Sequence, residues 1–238
     1  MNGKTATIHP LFFTIHPLCQ SESFLHDMMK KKKGILQVKH MKLIDSISNQ
    51  ISQTLFETNA ISQKEIPIYN YCLSYFLENV MYCIYILFIA FVSGQILNGL
   101  LVIITFLPLK FFAGGYHAKT QRQCYLFSYG IVPCVLFSSS HLCNTFTITW
   151  IVLYTVCSIL MVCLAPIDTP NKRIAKDKKK QLKKSTFYYM IFLTFLSILL
   201  LWANCYQSYL TLSLCVCIMN GNQVLGLLAN RKDKKGAQ

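Results

Sequence analysis

NVMYCIYILFIAFVSGQILNGLLVIITFLPL, residues 79–109, carries no charged side chain. A spanning helix needs roughly 20 apolar residues, so this run is too long for one upright span and tight for two. A joint near Gly94 would make it two spans, whereas a single tilted helix would shift the parity of everything that follows. Two later runs share its character. Between Cys124 and Pro170 the only charge is Asp168, and from Ser185 to Asn230 there is none. Soluble core helices are shorter and show a polar face, so the pattern excludes a soluble domain.

Composition agrees. Of 238 residues, 53% are hydrophobic and 13% charged, against about a quarter charged in soluble domains. The net charge of +14 would suit nucleic acid, but the basic residues cluster at the borders of apolar runs, as the positive-inside rule requires. No nucleic-acid partner is expected; the bilayer is. The expected fold is all-α and polytopic, with about six hydrophobic helical segments near 74–92, 95–111, 124–140, 147–165, 186–205 and 208–228. Lys110, Lys119 and Arg122 then lie between the second and third segments, a run from Lys172 to Lys184 between the fourth and fifth, and Arg231 to Lys235 after the last. The joints near Gly94, Asn144 and Gln207 hold no Lys or Arg. Six spans with both termini on the cytoplasmic side place every cluster on one face of a cytoplasmic membrane. Gly130 and Pro133 predict a kink in the third segment.

The first forty residues differ from the rest: IHPL occurs at Ile8 and again at Ile15, and Lys30 to Lys33 form a basic run with no long apolar core beside it. From Met41 the pattern changes. Leu43, Ile44, Ile47, Ile51 and Leu55 recur at helical spacing among Asp45, Ser46, Ser48, Asn49 and Gln50, which predicts an amphipathic helix in the interface plane. Met41 is therefore expected to be the true start, with 1–40 upstream sequence and 41–238 the membrane domain.

Chemistry concentrates in KFFAGGYHAKTQRQCYLFS, residues 110–128. Gly114 and Gly115 permit a tight turn or close backbone approach. His117 and Cys124 are seven residues apart, nearly two helical turns, and would share a face if the segment were helical. An imidazole beside a thiol can take its proton, and Lys119 and Arg122 favour the thiolate. A His and a Cys this close also arise by chance, so the spacing leaves catalysis and coincidence both open. No third ligand accompanies them, so neither a metal nor another cofactor is expected. Most of the eleven cysteines, among them Cys83, Cys134, Cys157, Cys163, Cys205, Cys215 and Cys217, lie inside apolar runs without a CxxC pair, where a thiol acts as a small hydrophobe. His141 suits the outer interface.

GGYHAKTQRQC, residues 114–124, resembles the signature of the AgrB (accessory gene regulator B) family, bacterial membrane endopeptidases that mature quorum-sensing propeptides. APIDTPNKRI, residues 165–174, resembles the family's Ala-Pro-x-Asp-x-x-Asn-Lys element, in the expected order. The resemblance implies that His117 and Cys124 are a catalytic pair and that Gly115 is needed near them. It implies cleavage of the C-terminal tail of a small AgrD-like propeptide, a thioester on Cys124, and closure to a thiolactone or lactone. Many members carry Arg where this chain has Lys110, which keeps the charge but loses the bidentate fork. Relatives process peptides with acidic tails, so Lys178, Lys179 and Lys180 are candidate docking residues; their plainer role is a topology signal. Asp168 and Asn171 either orient His117 or cap a helix after Pro166, and capping is favoured. A homodimer is admissible, the oligomeric state being open.

The competing class is a non-enzymatic transporter, exporter subunit or scaffold. Ion-coupled transporters carry ionisable groups within spans, and an active exporter needs a nucleotide-binding GxxxxGK[ST] run. The spans after Glu78 hold no such group, which counts against ion coupling, and no nucleotide-binding run occurs.

Overall fold

The computed structural model describes residues 42–115, 121–143, 148–167 and 176–236, with side chains described over 44–115, 127–143, 148–167 and 179–229. Among these residues there are helices and no strand: α1 (Lys42–Glu57), α2 (Ile66–Val92), α3 (Ile96–Phe112), α4 (Gln121–Leu142), α5 (Ile148–Leu164), α6 (Lys176–Trp202) and α7 (Tyr206–Gly236). The all-α, polytopic expectation holds. Ile66–Val92, Lys179–Trp202 and Tyr206–Ala229 are long and apolar enough to cross a bilayer, and Ile96–Phe112 and Ile148–Leu164 are apolar but shorter. α4 has a more mixed character and runs without interruption through Gly130 and Pro133.

The long uncharged run does break at Gly94. α2 closes there with Gly94 at φ +67, its N–H bonded to the Phe91 carbonyl and the Gln95 N–H to that of Ala90. This is a left-handed C-terminal cap, which satisfies carbonyls the helix itself cannot. The same device ends α6 at Asn204 (φ +56), with the Cys205 N–H on the Leu200 carbonyl, and α1 at Asn59 (φ +56), with the Ala60 N–H on that of Leu55. Glycine and asparagine are the residues that tolerate this conformation most readily, so these turns are written locally.

The chain forms two compact units, 1–82 and 83–238. In the first, α1 meets the start of α2 through small polar side chains rather than through its isoleucines. Ser48 and Ser52 are buried, with Ser48 Oγ 2.7 Å from Ser74 Oγ. Ile47 and Ile51 are exposed, and their apolar stripe is free to enter a lipid interface.

In the second unit α7 is central, packing against α3, α4, α5 and α6. Pairwise contacts fix directions. Gln95 and Asn98 at the start of α3 bond Gln207 and Ser208 at the start of α7, whereas Ala113 after α3 meets Gln223. Trp150 meets Tyr209, and Cys157 meets both Cys217 and Asn220. α3, α5 and α7 are therefore parallel, as alternate members of an up-and-down bundle must be. Their C-terminal levels, with the first turns of α4 and α6, gather at one end.

The unit is apolar outside and buries a set of polar side chains within its apolar core. Phe91 is 70% and Trp202 83% exposed, while Asn98, Thr105, Thr186, Thr211, Asn220 and Gln223 are buried. Lipid offers no hydrogen bonds, so polar side chains turn inward and the outer surface is left to apolar ones.

Cys217 Sγ lies 3.4 Å from Cys157 Sγ, so mild copper–phenanthroline oxidation should join α5 to α7. Tryptic cleavage within 172–184 would then leave fragments held together until reduction, and Cys157→Ser should release them. No such link in the native protein would contradict the α5–α7 register.

Candidate functional site

The site begins at the last turn of α3. Its C-terminal carbonyls lack intrahelical partners, and the chain must leave the helix beneath neighbouring segments. Gly114 (φ +69) and Gly115 (φ +146) make that exit. Gly114 forms a parallel bridge with Ile167, and the Ile167 N–H donates to the Ala113 carbonyl at 3.1 Å. The approach is too close for a side chain: a Cβ on Gly114 would stand 2.7 Å from the Ile167 carbonyl oxygen. A Cβ on Gly115 would stand 2.3 Å from Asn222 Nδ2. The two motifs singled out in the sequence, some fifty residues apart, thus touch through their main chains.

α7 closes the turn from the other side. Gln223, fully buried, donates from Nε2 to the Ala113 carbonyl at 3.4 Å. Asn220 donates from Nδ2 to the Cys157 carbonyl at 2.7 Å. The acceptor oxygens of both, Asn220 Oδ1 and Gln223 Oε1, are buried without a partner among the described residues. Each such oxygen costs about 1–3 kcal/mol, so the amides weaken the packing that methylenes in their place would provide. Sequence reading missed Asn220 and Gln223, and Asn222 beside them. Their signal was the run Asn220-Gly221-Asn222-Gln223 inside an otherwise apolar span.

Lys110, in the last turn of α3, donates from Nζ to Ser128 Oγ at 3.4 Å. Ser128 stands four residues after position 124 on α4, so the α4 face that meets Lys110 is the face on which position 124 falls. α4 starts at Gln121, which puts Cys124 in its first turn. His117 and Lys119 precede that helix and lie outside the described residues, as do the side chain of Cys124 and Asp168 and Asn171. The expected shared helical face of His117 and Cys124 therefore has no described helix to rest on.

The basic stretch expected as a loop is helical in its second half: Lys176 to Lys184 occupy the opening turns of α6. Lys180 is exposed, Lys179 is half-buried, and the side chain of Lys178 is outside the described set. Among the described residues no three of His, Cys, Asp and Glu gather as metal ligands.

The fold and this end of the bundle define an all-helical membrane protein with a polar, glycine-built site at one end of its bundle. Residues 44–227 match the family described as Accessory gene regulator B, and the chain belongs to that family. Membership supports a part in the processing of quorum-sensing propeptides. No curated protein and no solved structure matches the chain.

Gly114→Ala should lower stability in detergent by about 1–3 kcal/mol, because it imposes a strained φ and drives Ile167 away. Gly130, with nothing within 4 Å of its would-be Cβ, lies mid-helix, so Gly130→Ala should raise stability by roughly 0.5–1 kcal/mol. Thermal melts of the two variants check this; equal melting temperatures would refute the close approach at Gly114.

Proposed function

We propose that this chain is a membrane-embedded cysteine endopeptidase that removes the C-terminal tail of a quorum-sensing propeptide and promotes its cyclisation. The observation that supports the reading is the main-chain bridge from Gly114 to Ile167, which sets the first residue of GGYHAKTQRQC against the third residue of APIDTPNK. A scaffold has no evident need for such convergence of polar motifs at one end of an apolar bundle.

His117 takes the proton of Cys124, and the thiolate attacks the scissile carbonyl. The C–N bond breaks, His117 returns the proton to the leaving amine, and the peptide remains as a thioester on Cys124. A thiol or hydroxyl within the peptide attacks that thioester, forming a thiolactone or lactone and restoring the Cys124 thiol. Holding the internal nucleophile close supplies an effective molarity on the order of 10⁵ M or more, enough to outrun water. Two features favour the thiolate. Position 124 lies in the first turn of α4, where unpaired N–H groups and the helix dipole stabilise negative charge. The Lys110 ammonium reaches the same face of that helix one turn on. A charge suffices for this purpose, so Lys in place of the Arg common in relatives is serviceable.

The site is assigned to the cytoplasmic side of a bacterial cytoplasmic membrane, on the positive-inside rule. Lys178, Lys179 and Lys180 serve there first as a topology signal and secondly as a dock for an acidic propeptide tail.

Two measurements test these readings. Coexpressed with an amphipathic propeptide bearing an internal Cys or Ser and an acidic tail, the native chain should release a cyclic peptide. Cys124→Ala should release none, and His117→Gln should slow release by roughly 10²–10⁴-fold; undiminished release by Cys124→Ala would discard the peptidase. Glu at 178, 179 and 180 should leave insertion correct while cleavage falls if the lysines dock the tail. An inverted protein would assign them to topology alone.

A further inference from the structure

The last helix has no charge between Tyr206 and Asn230, yet it buries Asn220 and Gln223 and presses Asn222 against Gly115. An apolar side chain would fill the Gln223 position without stranding an oxygen. What the carboxamide adds is one bond, from Nε2 to the Ala113 carbonyl. That carbonyl also accepts the Ile167 N–H. Two donors, one from α7 and one from the segment after α5, occupy its two lone pairs. Together they fix the peptide plane between Ala113 and Gly114, from which the glycine turn departs. Asn222 bounds the turn one residue further on.

We propose that Gln223, supported by Asn222, is a positioning residue of the peptidase. By clamping the Ala113 carbonyl it sets the direction in which the chain leaves Gly115 toward His117. The inference rests on the catalytic reading of His117 and Cys124. Glycine has no side chain with which to hold its own turn, and its backbone is the most permissive of all; a turn made of two glycines must be held from outside. The leverage is large. Two residues span at most about 7 Å, so a tilt of roughly 10° at the turn moves the far end by roughly 1 Å, a displacement that can cost about 10²-fold in rate.

The discriminating variant is Gln223→Met, close in volume and at home in an apolar helix. Processing of a coexpressed propeptide should fall by roughly a hundredfold, while the amount in the membrane and the melting temperature hold or rise. Alkylation of Cys124, followed against pH by mass spectrometry at that residue, should require a higher pH once the imidazole is misdirected. Asn222→Ala should show a smaller change in the same direction. Native-like processing and an unshifted alkylation profile in Gln223→Met would overturn the proposal. So would a loss of processing with an unshifted profile and a lowered melting temperature, which marks a packing role. Continued processing by Cys124→Ala, run alongside, would instead remove the peptidase reading on which the inference stands.

Discussion

The carbonyl of Ala113 ends an apolar helix, and nothing in that helix can bond it. In a bundle surrounded by lipid it must be met by another part of the protein. It is met twice, by the Ile167 main chain and by the Gln223 side chain. Those two bonds draw together the end of α3, the segment after α5 and the middle of α7, and they explain why the turn consists of glycines. A main chain cannot approach another main chain and a carboxamide at once if it carries a Cβ pointing into either. Everything assigned to the site depends on this convergence, since the residues proposed to carry the chemistry lie just beyond it in sequence.

Much of the fold was legible because its determinants are local. Uncharged runs set the positions of α2 to α7, and the break at Gly94 followed from a residue suited to a left-handed cap. The same cap at Asn59 and Asn204 passed unremarked, because asparagine adopts it less emphatically than glycine. Helix ends were blurred where charge blurred composition. The lysines of 176–184 read as a loop, yet they begin a 27-residue helix, because Lys is a good helix former and a spanning segment already supplies the nucleus. The amphipathic reading of α1 found the right stripe, but the face that meets α2 is the serine face.

The site was legible only in part. The glycine pair and the two motifs were visible as strings, and their order was visible too. Their contact was not, since a single parallel bridge between residues 114 and 167 leaves no periodic trace. The carboxamides of α7 were missed for a related reason. Their partners lie about a hundred residues upstream, at Ala113, Gly115 and Cys157, and a search for charged groups passes over uncharged amides. Within a membrane span, however, an amide is nearly as informative as a charge, because burying it without partners is costly.

The basic start of α6 brings the bilayer back into the energetics. Lysines at a helix N-terminus oppose the macrodipole, at about 0.3–1 kcal/mol each within the first turn, and their mutual repulsion adds to that. The helix would be better served by acidic residues there. An anionic membrane surface reverses the balance, attracting each nearby lysine by about 1 kcal/mol. The acidic peptide tail proposed to dock there would compete with the lipid for the same lysines beside the glycine turn, since the opening of α6 and the end of α3 share one end of the bundle. A sequence feature unfavourable to the isolated helix thus becomes favourable beside an anionic surface, the one electrostatic cause under which the topology signal and the proposed docking role both fall.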